Sequence, residues 1–477
     1  MPYIQIEDFR NGLDARRGIV ETPAGALLTL NNAHITRGGE IEKRYAFSAF
    51  GDEMPDGDTF GLAVKDGEPW VFGEDSEATV RTAGLDTDIK YQQLTPPGGR
   101  SIRDILDWDL FSGKFYVVVE MDDFSVQHYY DGTIIPDADY FSTSGLSRGL
   151  TATTYREKMY TVRDENIMFS KLLTPDEYGV SEAEYQGSGF INAAAQAPTT
   201  FDLTTSTAYL NKLAVFARNT TLIYEVDPDP ARNALIQVMT NIGCLAPRTA
   251  IGYGEQDVFF LADSGVRSLR ARSDTTIASV NDVGTPIDSL VTAYIDTVGL
   301  DNAYYAQACI EPRTGSYWLA LGSTIYVLSL FPQSEIAAWS TYTPGFTVDD
   351  MVSDYKGVFL RADNQLYKYG GTDGVTYDSA AVTATLPYLA ANAPATSKQW
   401  TGIDVSCEGS WTVKLGTEPN DDTFYETVAT LSGVTYNYPR YATGHWSSHA
   451  SLKFEHAAAG AALLRSAAIH YSTGKAE

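Results

Sequence analysis

The sequence predicts an all-β protein, namely an irregular β-propeller of six to eight blades with a C-terminal β-sandwich-like domain. Short apolar strands, paired about tight turns, recur along most of the chain. Aromatic residues make up 12% of the 477 residues and include 30 Tyr, a residue that favours strands. Helical periodicity is almost absent, and the 40 Gly and 20 Pro fit a chain with many turns.

The N-terminal residues 1–49 form the first predicted unit. Pro23–Ile35 and Gly38–Arg44 read as two strands about a glycine turn. A propeller must bury its edge strands by closing into a ring. We therefore expect residues 1–49 to hold strands that can close the propeller ring.

Residues 50–375 form the second predicted unit, the propeller. Seven hairpins start roughly 40 to 60 residues apart, which is the interval of four-stranded blades. No Trp-Asp or paired-glycine signature recurs, so the predicted repeat is degenerate. The first strands of these hairpins begin at the following residues: Gly61, Phe115, Lys158, Leu213, Val258, Tyr317 and Val358.

The pattern changes after the glycine-rich segment Tyr369–Tyr377. Period-two apolar faces such as Ile403, Val405 and Cys407 follow it, separated by turn residues. This shift predicts that residues 378–477 form a separate sandwich-like domain used in assembly. Within the propeller, Thr285–Ile295 is the one predicted helix, with Thr285 as its cap and proline at the first helical position.

The net charge of −27 restricts the possible functions. It argues against a conventional nucleic-acid binder, because phosphate contacts need clustered Lys and Arg. The acidity provides either solubility or an acidic channel past which a polyanion slides, and the sequence leaves both open. No targeting signal or membrane span is expected. The sparse cysteines, Cys244, Cys309 and Cys407, indicate buried thiols and assembly in a reducing cytoplasm.

Catalytic chemistry has weak candidates in this sequence. Glycoside hydrolysis needs two carboxylates at a set separation, and three adjacent pairs occur. Neighbouring residues on a strand face opposite sides, and all three pairs fall at expected turns, so we predict solvated turn residues. The sequence therefore predicts no catalytic residues and no enzyme. The pairs are Asp122–Asp123, Asp349–Asp350 and Asp421–Asp422.

Metal and cofactor sites are not expected either. Four C-terminal histidines lie on predicted strands and turns without cysteine or carboxylate companions, so no metal ligands are assigned. Asp227–Pro230 and the turn around Asp373 lack the dense acidic spacing of a calcium loop. No phosphate-cradling glycine loop occurs, so no cofactor-binding residues are assigned. The histidines are His445, His449, His456 and His470.

Several phrases of the sequence resemble the tail tube, or nozzle, proteins of short-tailed bacteriophages. These phrases are distributed along most of the chain, and the best match runs from Leu210 to Arg267. The resemblance also includes a glycine turn that leads to Lys-Arg, although the Pro-Gly often found next is here Tyr-Ala. The matching segments are Arg10–Arg17, Pro23–Gly25, Leu30–Ala33, Gly38–Arg44, Glu157–Val162, Phe169–Tyr178, Leu210–Arg267 and Gln365–Asp373.

The resemblance implies a structural virion protein. It predicts a homo-oligomeric ring, a hexamer, that conducts the genome during ejection and carries other tail parts. Expected partners are the adaptor on the portal side, tail fibre proteins and passing genomic DNA without specific binding. The expected location is the virion tail, after assembly in the host cytoplasm. The alternative is a carbohydrate-binding or glycan-degrading propeller protein for host-surface recognition, with Trp411 and Trp446 as possible aromatic platforms.

Overall fold

The computed structural model describes most of the chain and confirms the all-β prediction. Sheets dominate it, and helices are few and short. The described residues are 2–136, 146–179, 187–197, 202–254, 257–270, 282–421, 423–436 and 441–473.

Seven blades form the propeller within the described ranges. Blades one to four comprise Phe60–Lys65, Glu68–Gly73 and Lys90–Gln93; Ile102–Phe111, Lys114–Met121, Val126–Tyr130 and Thr133–Ile134; Thr153–Tyr155, Lys158–Arg163, Asn166–Phe169 and Gly189–Asn192; and Leu203–Tyr209, Lys212–Ala217, Thr220–Glu225 and Ala234–Thr240. Blades five to seven comprise Ile251–Tyr253, Asp257–Ala262 and Gly265–Ser268; Gln307–Ile310, Tyr317–Leu321, Thr324–Phe331 and Ile336–Tyr342; and Asp350–Asp354, Gly357–Ala362, Gln365–Tyr369 and Phe47–Ala49.

The blades close into a ring around their first strands. Each first strand contacts the first strand of the next blade, and Asp350–Asp354 of blade seven contacts Phe60–Lys65 of blade one. The N-terminal strand Phe47–Ala49 pairs antiparallel with Gln365–Tyr369 as the outer strand of blade seven. The first and last parts of the propeller sequence therefore share one sheet, and blade seven contains strands from both.

All seven predicted hairpins are present. Six of them form the second and third strands of their blades, and the hairpin of blade one forms its first two. Blade one is irregular, because its third strand, Lys90–Gln93, pairs parallel to Glu68–Gly73. The crossover that this requires contains the helix Glu77–Ala83, capped by Ser76 and ended by Gly84 at a φ of 125°.

The predicted helix lies between blades five and six. It comprises a 3₁₀ turn, Thr285–Ile287, followed by the α-helix Asp288–Val298. Thr285 does not cap it, because its hydroxyl donates to the Asp282 carbonyl. A short helix, Leu300–Ala303, follows Gly299. Other 3₁₀ turns span Pro230–Arg232, Pro247–Thr249 and Pro332–Ser334. Among the described residues, no helix has the length and apolar character of a membrane span.

Two sheets form the C-terminal sandwich, and both contain N-terminal strands. The first sheet comprises Tyr3–Ile6, Ala33–Ile35, Ile41–Lys43, Lys398–Glu408, Val434–Tyr436, Tyr441–Ser447 and Leu463–Thr473. The second comprises Gly12–Leu13, Ala26–Leu27, Thr29–Asn31, Val382–Thr385, Trp411–Gly416, Glu426–Leu431 and Ser451–His456. The sandwich therefore extends beyond the expected 378–477, and within the described residues 2–49 only Phe47–Ala49 lies in a blade.

The sandwich is continuous with blade six. Thr29–Asn31 pairs parallel with Ile336–Tyr342 on one side and antiparallel with Val382–Thr385 on the other, giving one eleven-stranded sheet. A single apolar core likewise runs from Trp411 of the sandwich to Trp339 of blade six. The two units are therefore joined by backbone hydrogen bonds and a shared core, rather than forming the separate domain expected from the sequence.

Arg44 lies at the junction and is only 1% exposed. Its Nε donates to Asn32 Oδ1 over 2.9 Å, and its Nη1 donates to the Tyr45 carbonyl over 2.7 Å and to Asp378 Oδ2 over 2.8 Å. Its Nη2 donates to the Thr343 carbonyl after blade six over 3.2 Å. One guanidinium thus connects the N-terminal strands, blade six and the chain entering the sandwich.

Candidate functional site

A largely buried cluster of charged side chains lies near the axis of the propeller. Asp350, at the start of the first strand of blade seven, is 3% exposed. Arg248 Nη1 donates to Asp350 Oδ1 over 2.6 Å, and Arg361 Nε donates to Asp350 Oδ2 over 2.6 Å. Arg361 faces Asp350 because the two residues pair across the antiparallel hairpin of blade seven. We call Arg248, Asp350 and Arg361 the axial triad.

The first strand of blade two provides further hydrogen-bond acceptors for Arg248. This strand, Ile102–Phe111, has two register shifts, one before Asp104 and one before Asp107. Such irregularities release backbone groups from the ladder. Arg248 Nε donates to the Leu106 carbonyl over 3.0 Å, and its Nη2 donates to the Ile105 carbonyl. The arginine thereby ties blades two, five and seven together across the axis.

Burial and ion pairing act in opposite directions on the axial carboxyl groups. Burial opposes ionisation of Asp350, but Arg361 and Arg248 outweigh it and lower its pKa. Burial raises the pKa of Asp104 and raises that of Asp107 to about 6, although the Ala152 amide donates to Asp107. Burial also raises the pKa of Asp349. The axis therefore holds four carboxyl groups. Asp350 is firmly ionised, and the other three protonate more easily because their pKa values are raised.

Two cavities adjoin the axial triad. One, of about 360 Å³, is lined by Asp104, Asp349 and Tyr304 among others. The other, of about 330 Å³, is lined by Asp107 and by apolar side chains of blades one and six. Arg248, Asp350 and Gln307 line both cavities. Two members of the axial triad, Arg248 and Asp350, therefore belong to the walls of both cavities.

The structure corrects the interpretation of one carboxylate pair. Asp122 and Asp123 lie exposed in a turn, as predicted. Asp350 does not, because the ladder of blade seven places it against two arginines, while Asp349 accepts from the Asp363 amide over 2.7 Å. Asp421 is exposed in a turn, and its predicted companion, residue 422, lies outside the described residues.

The C-terminal histidines are dispersed. His470 Nε2 lies 2.6 Å from Asp404 Oδ2, and His445 Nε2 lies 3.2 Å from Glu426 Oε2. His456 is buried, with Nδ1 2.6 Å from the Ser410 carbonyl. Across the described ranges, no three His, Cys, Asp or Glu side chains form a group suited to a metal ion.

The remaining candidates have structural roles. Asp227 accepts from the Asp229 amide over 2.9 Å, and Asp373 accepts from the Val375 amide over 3.0 Å, so both carboxylates organise their own turns. Trp411 is 1% exposed in the core, which leaves Trp446, at 55%, as the exposed member of the aromatic pair. The three cysteines are buried thiols, as predicted.

Sequence reasoning missed the axial triad and the acids beside it. A signal was present, because Asp104, Asp107 and Asp109 lie within one apolar strand, where aspartate is normally depleted. Arg248 directly follows a proline in an uncharged stretch and gave no such signal. Its partners lie more than one hundred residues away in the sequence, in blades two and seven.

Comparisons with known proteins do not identify a family. No family model and no curated protein matches the chain. Solved structures that match include the extracellular domain of a proposed one-component system from B. thetaiotaomicron, at 10% identity and a TM-score of 0.41 over 75% of this chain. This chain spans only 43% of that protein.

Two further solved structures match this chain over nearly their whole length. The Neurospora crassa Pan2 WD40 domain matches at 10% identity and a TM-score of 0.38, over 71% of this chain and 98% of that one. An exo-β-1,3-galactanase from Phanerochaete chrysosporium matches at 11% identity and a TM-score of 0.29, over 79% and 98%. At these scores the matches carry no argument, and the propeller assignment rests on the sheet order and the closed ring of first strands.

Proposed function

We propose that the chain is a non-catalytic structural subunit of a short-tailed bacteriophage tail, forming the nozzle ring. The observation that carries this proposal is the union of propeller and sandwich through one eleven-stranded sheet. A ring wall must keep its subunit contacts in fixed relative positions. A shared sheet suits that task better than a flexible linker, across which relative domain motion is the default expectation.

The phrases that resemble nozzle proteins support the same proposal. The Lys43–Arg44 phrase lies at the junction, where Lys43 Nζ donates to the Asp378 carbonyl over 2.7 Å. The Leu210–Arg267 phrase forms most of blades four and five. The proposed genome path is the channel enclosed by several subunits and not the axis of any one propeller.

The proposed assembly is a homo-oligomer with six subunits. Contacts between unlike faces of identical subunits close into a ring when the rotation permits. The proposed partners are the adaptor on the portal side, tail fibre proteins and genomic DNA that passes without specific binding. The subunit assembles in the host cytoplasm and resides in the virion tail.

Native mass spectrometry and electron microscopy of the purified chain test the proposal. Measurements are made on the chain alone and with the adjacent tail proteins, and virions are analysed for its presence. We expect closed rings. Arg44→Met should lower ring yield by loosening the junction, whereas Arg17→Met, at an exposed position, should not. A chain that stays monomeric with its neighbours and is absent from virions contradicts the proposal.

A further inference from the structure

A groove of about 770 Å³ lies between blade four and the helical insertion before blade six. One wall is formed where the hairpin and outer strand of blade four end, and the other is the short helix with the tyrosines after it. We call this space the blade-four groove. Its wall residues include Asn219, Thr240, Asn241, Leu300, Asp301 and Tyr305.

Three polar side chains that line the groove are not used in hydrogen bonds within the described part of the protein. The side chains of Asn219, Asn241 and Asp301 make no hydrogen bond to any described residue. Tyr305 is 55% exposed, and its ring lies 5.6 Å from that of Tyr304 in an edge-to-face contact. A tyrosine offers an apolar ring with a polar tip, which suits a ligand that has both apolar faces and hydroxyl groups.

The groove continues towards the propeller axis. Tyr304 and Tyr305 line both the groove and the axial cavity of about 360 Å³. Tyr304 is the more buried of the two, and burial raises its pKa to about 12. It therefore stays a neutral hydroxyl at physiological pH. A ligand in the groove therefore contacts wall residues that the groove shares with the axial cavity.

The charges of the two spaces exclude an anionic ligand. Arg218 Nε lies 3.0 Å from Asp263 Oδ2, while Arg248 and Arg361 both pair with Asp350. Each arginine that lines these spaces, among the residues that the structure describes, is therefore already paired with a carboxylate. Because the whole chain carries a net charge of −27, the groove disfavours a phosphate or an acidic polymer.

We propose that the blade-four groove binds a neutral oligosaccharide. A sugar ring stacks on Tyr305, and the amides of Asn219 and Asn241 bond to its hydroxyl groups from the opposite wall. The volume lies within the usual range of ligand sites. This site is distinct from Trp411 and Trp446 of the sandwich, and it does not depend on the proposed role in a tail ring.

Saturation-transfer NMR of the full chain with neutral hexasaccharides tests the proposal. The panel contains glucans, galactans and mannans of different linkage, with hyaluronan fragments and spermidine as charged comparators. We expect saturation of at least one neutral member. Tyr305→Ala and Asn219→Ala should each weaken its binding by about tenfold, equivalent to about 1.4 kcal/mol. Tyr355→Ala is the matched control, since Tyr355 is 73% exposed on blade seven, away from the groove.

Each result has a defined meaning. A thermal melt first shows that the variants fold, as expected for changes at exposed side chains. Neutral binding that is lost in Tyr305→Ala and kept in Tyr355→Ala supports the proposal. The proposal is overturned if no neutral member binds at millimolar concentration, or if binding ignores both groove variants. It is also overturned if spermidine displaces the sugar in a salt-dependent way, because the groove would then be a cation site.

Discussion

Asp350→Asn should destabilise the propeller more than any exposed charge change. The substitution keeps the size of the side chain but places an amide NH₂ against an arginine that previously donated to a carboxylate. Arg248 and Arg361 then lie largely buried without their counter-charge. Breaking a buried ion pair by removing one partner costs about 3–5 kcal/mol.

The size of the chain sets the expected shift in melting temperature. With an unfolding entropy of about 2.1 cal/mol/K per residue, the 477 residues give about 1 kcal/mol/K. If the chain unfolds as one unit, the loss therefore lowers Tm by about 3–5 °C. Differential scanning calorimetry at pH 7 measures it. Asp131→Asn is the matched control, because Asp131 pairs with Lys114 at the surface, with both side chains 50% exposed.

The pH dependence provides a second measure of the same interaction. Since the pKa of Asp350 is lowered from 3.8, its ionised form stabilises the fold above that pH. The difference in Tm between wild type and Asp350→Asn should stay constant from pH 5 to 8 and shrink below pH 4. A Tm within 1 °C of wild type at pH 7, equal to that of the Asp131→Asn control, refutes the role given to the axial triad.

Arg44→Met should lower Tm by about 2–4 °C, because buried acceptors lose their donor, while Arg17→Met, at an exposed position, should leave Tm unchanged in the same melts. Asp107→Asn should gain stability relative to wild type as pH rises from 4 to 7. The pKa of Asp107 is raised from 3.8 to about 6, so its ionisation weakens the fold over that interval; a flat difference in Tm contradicts this. The purified protein should not bind duplex DNA at low salt; tight, salt-sensitive binding in an electrophoretic shift assay contradicts the channel model.

The hairpins show which features of this protein can be predicted from local sequence. Leu213 and Tyr224 pair across a turn only a few residues long, and Tyr317 and Leu328 do the same in blade six. Alternating apolar residues and turn formers lie within about a dozen residues, so both strands and their register can be predicted together. The alternating faces of the C-terminal sandwich strands were also visible locally, but their pairing was not, since Lys398–Glu408 pairs with the distant Leu463–Thr473.

The assignment of the N-terminal strands shows where this reasoning fails. Asn31 pairs with Thr341 and Thr383, more than three hundred residues away. An edge strand of this composition fits a blade or a sandwich equally well, because both offer an apolar face and an open ladder. Only the positions of blade six and the sandwich, brought together by ring closure, decide which edge the strand completes.

The sequence by itself therefore determined the all-β class, the seven hairpins and the change of pattern after Tyr369. The tertiary structure decided the partners of residues 3–43, the joining of sandwich and blade six, and the axial triad. Turn chemistry and strand periodicity act between near neighbours and leave a local trace. Ring closure acts between distant segments, so the burial of Asp350 between Arg248 and Arg361 became visible only when the blades were in place.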